Sequence, residues 1–427
     1  MWESRWTLWA WCAQPSGRRW LLRGLLAFAL IGGLVWVRRA GDFAGYLLVG
    51  DLVLAGRDIY LDAPRGVNTW PPFFSLVCVP LALLATPSAL VARAVWILLN
   101  DVALLLALRI IVRLVYRRDL SLRVESDGVS LAAPEVLVPL LLSYRYVTGN
   151  FDHLQINIVI FALALAGLYL QTTGRELVGS LALGAAAALK VMPVVFIPYL
   201  AYRRRYRTAA LTAAVTAALS LSPILVFGWA RFWHYVEAWR SVVSAGFGVG
   251  KMNQSVFAMW DRFIGHGMMP LATAAINIQP ESGDPRVTAA TLASLALVTL
   301  LALWIFRGAA ALDGWATLSE WSVVFIVSAV FGPVCWKAYL IVLLLPYTLL
   351  YAAWRCAEVR EHERRVIGRI LVASFILGAL PAPGLVGKRL AGALEMASAG
   401  TMAALVMLGG LLWFRARQAA THPRAAH

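Results

Sequence analysis

Residues 41–72 read GDFAGYLLVGDLVLAGRDIYLDAPRGVNTWPP. Four aspartates, Asp42, Asp51, Asp58 and Asp62, stand in this one stretch of a very hydrophobic chain, and Trp70-Pro71-Pro72 closes it where apolar sequence resumes. From Phe43 on, apolar residues recur at Tyr46 or Leu47, Gly50, and Val53 or Leu54, which is helical spacing, and Gly56 suits a helix end. The spacing predicts an amphipathic helix lying on an outer membrane interface, with Asp42 at its start. Two uses of Asp42 stay open there: capping the helix, or remaining ionised at its positive end as a proton acceptor. Asp51, Asp58 and Asp62 read as solvated or turn residues. Acidic groups held at a membrane surface beside a helix break suggest chemistry on a lipid-borne substrate.

The surrounding composition makes the membrane setting firm. The chain has 427 residues, of which 61% are hydrophobic and 14% charged. No soluble fold buries that much apolar surface, so an all-α polytopic integral membrane protein is expected. The formal net charge of +16 is no nucleic-acid signal. The arginines punctuate the apolar runs, as orientation by the positive-inside rule requires. The run from Trp20 to Val37 lacks a small-residue cleavage site and reads as a signal anchor. Cys12, Cys78, Cys335 and Cys356 are too dispersed for a disulfide framework or a zinc site.

Spans are expected at 20–37, 88–115, 132–149, 153–171, 208–229, 287–307, 316–333, 335–355, 366–383 and 388–416. Residues 71–86, short and proline-rich, read as a re-entrant half-span. Residues 176–202, broken at Lys190-Val191-Met192-Pro193, read as a hairpin of two short helices, because irregular backbone at membrane depth needs protein or a watery cavity around it. The count is about 12 membrane helices plus the re-entrant segment. Both termini fall in the cytoplasm, and 38–70 and 230–286 fall outside. The whole of 1–427 reads as one domain, with motifs in 20–350 and C-terminal helices and a short tail in 351–427.

Further polar constellations interrupt the apolar sequence. Asp152, His153, Gln155 and Asn157 sit at the mouth of a helix pair, where they either line a cavity or bond helix to helix. Lys190, inside the apolar hairpin, needs an anion or water. Lys251-Met252-Asn253-Gln254-Ser255 lies in the long outer loop, and Lys337 stands in PVCWKAY (333–339) at the outer face. An aromatic belt accounts equally for Trp336 and Tyr339. No Gly-rich phosphate loop, metal helix or nucleophile elbow is present.

In this order, these segments resemble glycosyltransferase family 87, within the GT-C superfamily of membrane sugar transferases typified by polyprenol-phosphate-mannose-dependent α-1,2-mannosyltransferases. The matching residues are Asp42-Phe43 with Tyr46, Ala55-Gly56-Arg57-Asp58-Ile59-Tyr60, and Trp70-Pro71-Pro72 for the family's Tyr-Pro-Pro. His153-Leu154-Gln155-Ile156-Asn157 matches His-Gly-Gln-x-Asn, with leucine for glycine. Leu189 to Pro193 with Arg203 to Arg207, and Asn253-Gln254-Ser255 with Arg262, follow. In the late motif, Ala338 replaces the usual histidine beside Trp336-Lys337.

The resemblance implies a GT-C type fold and a hexosyltransferase at the outer face of the plasma (inner) membrane. It would move a hexose, with mannose expected, from a polyprenyl-phosphate sugar to a lipid-linked or cell-envelope glycan acceptor, with inversion. Phosphate is a good leaving group that needs cations rather than a general acid, so one carboxylate suffices as base for the acceptor hydroxyl. Asp42 is the implied base. His153, Gln155, Asn157, Lys190, Lys251, Asn253, Gln254, Arg262 and Lys337 are the implied donor-binding residues, with Lys337 or His153 expected to compensate for Ala338. Tyr46, Asp58, Tyr60, Trp70, Pro71, Pro72 and Trp336 support them. Neither metal nor cofactor is expected. The competing reading is a transporter or lipid flippase, since broken helices and intramembrane lysines occur there too.

Overall fold

The computed structural model describes residues 14–64, 66–124, 127–244, 248–267, 284–307 and 314–421. Cys12 and part of the long outer loop lie outside these. The chain begins with α1 (Pro15–Trp36), α2 (Phe43–Leu54), α3 (Pro72–Ala85) and α4 (Ala89–Tyr116). A small parallel pair, β1 (Leu120–Ser121) with β2 (Val129–Ser130), interrupts the helices. Then come α5 (Pro134–Asp152), α6 (Asn157–Thr172), α7 (Glu176–Leu189), α8 (Phe196–Tyr202), α9 (Tyr206–Leu221), α10 (Ile224–Phe227), α11 (Trp229–Ser244) and α12 (Val256–Trp260). The chain ends with α13 (Pro285–Phe306), α14 (Trp315–Val330), α15 (Leu344–Arg355), α16 (Glu361–Gly378), α17 (Pro383–Val386), α18 (Lys388–Met396) and α19 (Ala399–Thr421).

This is a multi-pass membrane protein. Among the described residues, six helical stretches are long and apolar enough to cross a bilayer: Pro15–Trp36, Ala89–Tyr116, Tyr206–Phe227, Pro285–Phe306, Lys337–Arg355 and Ala399–Gln418. The further spans expected at 132–149, 153–171, 316–333 and 366–383 are helices of 19, 16, 16 and 18 residues. The outer helices expose leucines widely, Leu30 on α1, Leu98 on α4 and Leu300 on α13 among them, as surfaces that meet lipid tails do. α14 and α15 are almost wholly buried and form the centre of the bundle.

Two expected boundaries change. The single span at 388–416 is broken at Ser398, whose φ of +63° ends α18 and starts α19 in a new direction. The span at 335–355 opens as a 3-10 turn, Lys337–Leu343, before becoming α-helical at Leu344. The break at Lys190 is present: α7 ends at Leu189, and Met192–Val195 forms a 3-10 turn leading to α8. Residues 72–85 form one 14-residue helix, α3, about 21 Å long, which suits a half-span.

At the cytoplasmic end expected from the arginines, one buried carboxylate ties three segments. Glu320 of α14 accepts from Arg415 Nε of α19 at 2.9 Å and from Tyr199 of α8 at 2.9 Å, and Arg203 stands 3.4 Å away. At the other end, the loop after α1 is pinned onto the end of α5. Trp36 Nε1 and Arg39 both reach Asp152 Oδ1, at 2.9 and 3.0 Å, and Trp36 stacks on Phe151. The Asp42 backbone N–H then donates to the His153 carbonyl at 2.7 Å.

Gly41 makes that last approach feasible. Its φ is +51°, and a Cβ there would run into the His153 carbonyl group. Gly56 also has positive φ, +65°, but open space around it. Gly41→Ala should therefore cost more than the ~1–2 kcal/mol of left-handed backbone strain alone, whereas Gly56→Ala should cost only that. Thermal unfolding of the two variants in the same detergent checks the order: Gly41→Ala should have the lower midpoint.

Candidate active site

The pinned loop brings Asp42 to the turn between α5 and α6. Asp42 occupies the N-cap position of α2, yet its side chain makes no capping bond. The carboxylate turns away from its own helix, and Oδ2 accepts from Gln155 Nε2 at 2.9 Å. This corrects the capping alternative. Gln155 Oε1 in turn accepts from Asn157 Nδ2 at 2.6 Å, and Asn157 Oδ1 accepts from Lys190 Nζ at 2.5 Å. Both amides are buried. A continuous chain of three hydrogen bonds thus joins a carboxylate to an ammonium.

The end groups fix the direction of the chain. An ammonium can only donate and a carboxylate can only accept, so each amide has one orientation that serves both neighbours. Asn157 Nδ2 also reaches Asn150 Oδ1 at 3.1 Å, and Asn150 Nδ2 donates to the Ala338 carbonyl at 2.9 Å. Lys190 Nζ lies 3.4 Å from the centre of the Tyr339 ring, a cation–π contact that suits a desolvated ammonium. Tyr339 acts here as a partner of Lys190, a role that the aromatic-belt reading misses.

These residues line a cavity of about 370 Å³. Asp42, Tyr46, Trp70, Gln155, Asn157, Lys190, Trp336 and Tyr339 all contribute to its wall. Asp42 Oδ1 accepts from no described residue, so one carboxylate oxygen is left for a substrate. Burial pushes the Asp42 carboxyl above the usual carboxylate range, with His153, Lys190 and the Gln155 bond pulling the other way. Asp58 behaves oppositely. Desolvation raises it, but the N–H groups of Leu61 and Tyr60 and the His234 side chain hold it below that range. The two motif aspartates thus differ: burial raises Asp42, and hydrogen bonds lower Asp58.

Of the supporting residues, Tyr46, Trp70 and Trp336 line the cavity, and Asp58, Tyr60, Pro71 and Pro72 shape the loop behind it. Tyr46 is fully buried with its ring edge-on to Trp70, Phe74 and Trp96. Tyr60 O–H donates to the Trp70 carbonyl at 2.6 Å, which holds the Trp70 end of the loop. Asp58 forms a turn by accepting from the Tyr60 and Leu61 N–H groups and meets His234 at 3.0 Å. Pro71 and Pro72 start α3, where a missing N–H costs nothing. Leu154, at the position where the resembled family has glycine, adopts φ +48° while almost wholly buried. Its carbonyl accepts from Trp96 Nε1 at 2.9 Å, so packing holds a backbone form that leucine disfavours by ~1–2 kcal/mol.

The second set of candidates gathers elsewhere. Arg262 is buried and donates to the carbonyls of Val249, Gly250 and Asn253 and to Ser398 Oγ, bracing the loop before α12 against the C-terminal helices. Asn253 Oδ1 accepts from the N–H groups of Ser255 and Cys335, and Gln254 Oε1 accepts from that of Gly400 at 3.0 Å. Lys337 donates to Glu395 at 2.6 Å, and Arg145 pairs with the same carboxylate oxygen. None of Lys251, Asn253, Gln254, Arg262, Lys337 and Ala338 lines the Asp42 cavity. His153 contributes its backbone carbonyl, while its side chain is exposed. Glu395 and Arg145 escape sequence reasoning, although Arg145 is a charge inside an expected span and signals a buried partner.

Residues 68–333 match the sequence model of glycosyltransferase family 87. Asp42 lies before the matched part, and Gln155, Asn157 and Lys190 lie inside it. A polyprenol-phosphate-mannose-dependent alpha-(1-2)-phosphatidylinositol mannoside mannosyltransferase of Mycobacterium tuberculosis is 29% identical over 250 residues, covering 53% of this chain and 57% of that protein. The protein of the same description from Mycolicibacterium smegmatis is 28% identical over 235 residues, covering 50% and 51%. The chain thus spans about half the length of the curated relatives it matches. Among solved structures, ArnT from Cupriavidus metallidurans bound to undecaprenyl phosphate aligns at a TM-score of 0.43 with 12% identity, over 92% of this chain and 76% of that chain. With well over half of its residues inside the family match, the chain belongs to glycosyltransferase family 87.

Proposed function

We propose that this chain is a membrane glycosyltransferase that moves mannose from a polyprenyl-phosphate donor to a glycolipid or cell-envelope glycan acceptor at the outer face of the plasma membrane, with inversion. The observation that carries the reading is the cavity in which Asp42 and Lys190 are joined through Gln155 and Asn157. Family membership and the polyprenol-phosphate-mannose dependence of the relatives support the donor class.

The chemistry follows from the two ends of the chain. The acceptor hydroxyl attacks the anomeric carbon, the bond from that carbon to the phosphate oxygen breaks, and the phosphate departs with the electron pair. Asp42 Oδ1 takes the hydroxyl proton. Lys190 meets the charge that grows on the phosphate oxygens, where a nearby cation in a water-poor site stabilises the transition state most. Gln155 holds Asp42 by its other oxygen and aims the free one. Asn157 holds Lys190 on the donor side. A single carboxylate is the minimum for direct displacement, unlike the paired carboxylates of glycoside hydrolysis. The chain needs neither metal nor cofactor for these steps.

Purified protein in lipid, given radiolabelled polyprenyl-phosphate mannose and a mannosylated lipid acceptor, should transfer label. Asp42→Asn should lower turnover by about 10²-fold or more, the usual worth of a general base, with donor binding retained. Full activity in that variant would exclude Asp42 as base. The base must be ionised, so activity should be lost as pH falls through the Asp42 pKa. Because burial raises that pKa, the loss should begin at less acidic pH than for an ordinary carboxylate. A flat pH profile down to pH ~4, the ordinary carboxylate range, would contradict it.

The orientation has its own test. Asp62 is exposed in the outer loop, and Arg207 is exposed at the start of α9. Cysteine introduced at Asp62 should react with an impermeant thiol reagent in intact cells, and cysteine at Arg207 should react only after lysis. The reverse pattern would turn the site to the cytoplasm.

A further inference from the structure

Two cations share one carboxylate beside the cavity, and a third stands close to them. Lys337 Nζ sits 2.6 Å from Glu395 Oε1, and Arg145 Nη2 is on the same oxygen. Lys251 stands over Gly392, one turn before Glu395 on α18. Among the described residues nothing accepts from Lys251 Nζ. Gln254 Nε2 donates to the carbonyls of both Lys251 and Glu395, at 2.8 Å each, and so seats the loop on the helix.

The charge count leaves an excess. Lys251, Lys337 and Arg145 bring three positive charges against the one negative charge of Glu395. Arg145 and Glu395 are nearly buried, and the Lys337 side chain is 23% exposed. Like charges gathered where water is scarce are unfavourable unless an anion joins them. Four segments, α5, the outer loop, the 3-10 turn at Lys337 and α18, have to converge to build this cluster, so it is a product of the fold and not of local sequence.

Its surroundings indicate a lipid. Lys388 and Arg389 at the start of α18 are exposed, as are Leu385 and Leu390. Basic and apolar side chains together on two short, consecutive surface helices suit a membrane interface with anionic headgroups. Trp336, the residue before Lys337, lines the Asp42 cavity, so the cluster adjoins the cavity without being part of its wall.

We propose that Lys251, Lys337 and Arg145, arranged around Glu395, bind the headgroup phosphodiester of the acceptor lipid. This rests on the transferase reading above and assigns the donor phosphate to Lys190 alone. The donor phosphate is the leaving group and has to lie at the reacting centre with Asp42. A phosphate that does not react can lie one residue further along, where it anchors the headgroup while its sugar reaches the cavity. Glu395 keeps Lys337 and Arg145 together while the site is empty.

Steady-state kinetics of the full chain in lipid nanodiscs test this with two acceptors, a short-chain mannosylated phosphatidylinositol and octyl mannoside, which has no phosphate. Wild type should prefer the first by KM. In Lys251→Gln and Lys337→Gln that preference should fall about tenfold or more, as loss of a charge-assisted contact predicts, and Lys337→Arg should restore part of it. A rise in donor KM with the acceptor preference intact would overturn the proposal and give the cluster to the donor. An unchanged preference would overturn it as well.

Calorimetric titration with short-chain phosphatidylinositol separates this idea from the transferase reading. Charge-dependent binding by a chain that transfers no mannose would support the site and defeat the proposed function. Binding equal in wild type and Lys251→Gln would defeat the site whatever the transfer assay gives.

Discussion

A lysine and an aspartate connected through two amides constrain most of this molecule. Neither charge would be stable alone where it sits, largely out of water. Gln155 and Asn157 carry the compensation between them without a direct ion pair. A direct salt bridge would occupy both groups and block the space between them. The amide chain instead leaves one oxygen of Asp42 and part of the Lys190 ammonium open to the cavity. Much of this end of the fold holds these four residues in register. Trp36 and Arg39 fasten the loop to Asp152, Gly41 allows the Asp42 N–H to reach His153, and the break after Leu189 turns Lys190 inward.

The family motifs divide physically into two centres rather than one. The early motifs meet at the Asp42 cavity. The Asn253-Gln254-Ser255 and Trp336-Lys337 motifs meet α18 and α19 at Glu395, Ser398 and Gly400. The C-terminal helices are therefore part of the working structure. Gln254 bonds backbone carbonyls and an N–H group, and Arg262 bonds three backbone carbonyls and Ser398 Oγ, which makes them builders of the second centre.

The helical, membrane-spanning class was legible because apolar runs and arginine punctuation are strong, one-dimensional signals. The helix at 43–54 and the break at Lys190 were legible for the same reason: periodicity and proline act locally. Pairing was not legible. Nothing in the spacing of Asp42 and Gln155, 113 positions apart, reveals that one accepts from the other. Glu395 was missed because a single acid in a short C-terminal helix carries no pattern, and its partners Arg145 and Lys337 are 250 and 58 positions away. Ala338 drew attention as a departure from the family pattern. Its side chain is buried away from the cavity, and its carbonyl serves Asn150, so the nearest cavity residues are its neighbours Trp336 and Tyr339. The GT-C type scaffold expected of family 87 agrees with the helical membrane architecture observed.

The central claim is that the donor phosphate belongs with Lys190 in the cavity that Asp42 lines. An experimental structure of the protein in lipid with a bound polyprenyl phosphate tests it most directly. The phosphate should lie within hydrogen-bond reach of Lys190 Nζ, with Asp42 facing the position of the missing sugar. A phosphate found against Lys337 and Arg145 at Glu395, with Lys190 still bonded only to Asn157, would contradict the account.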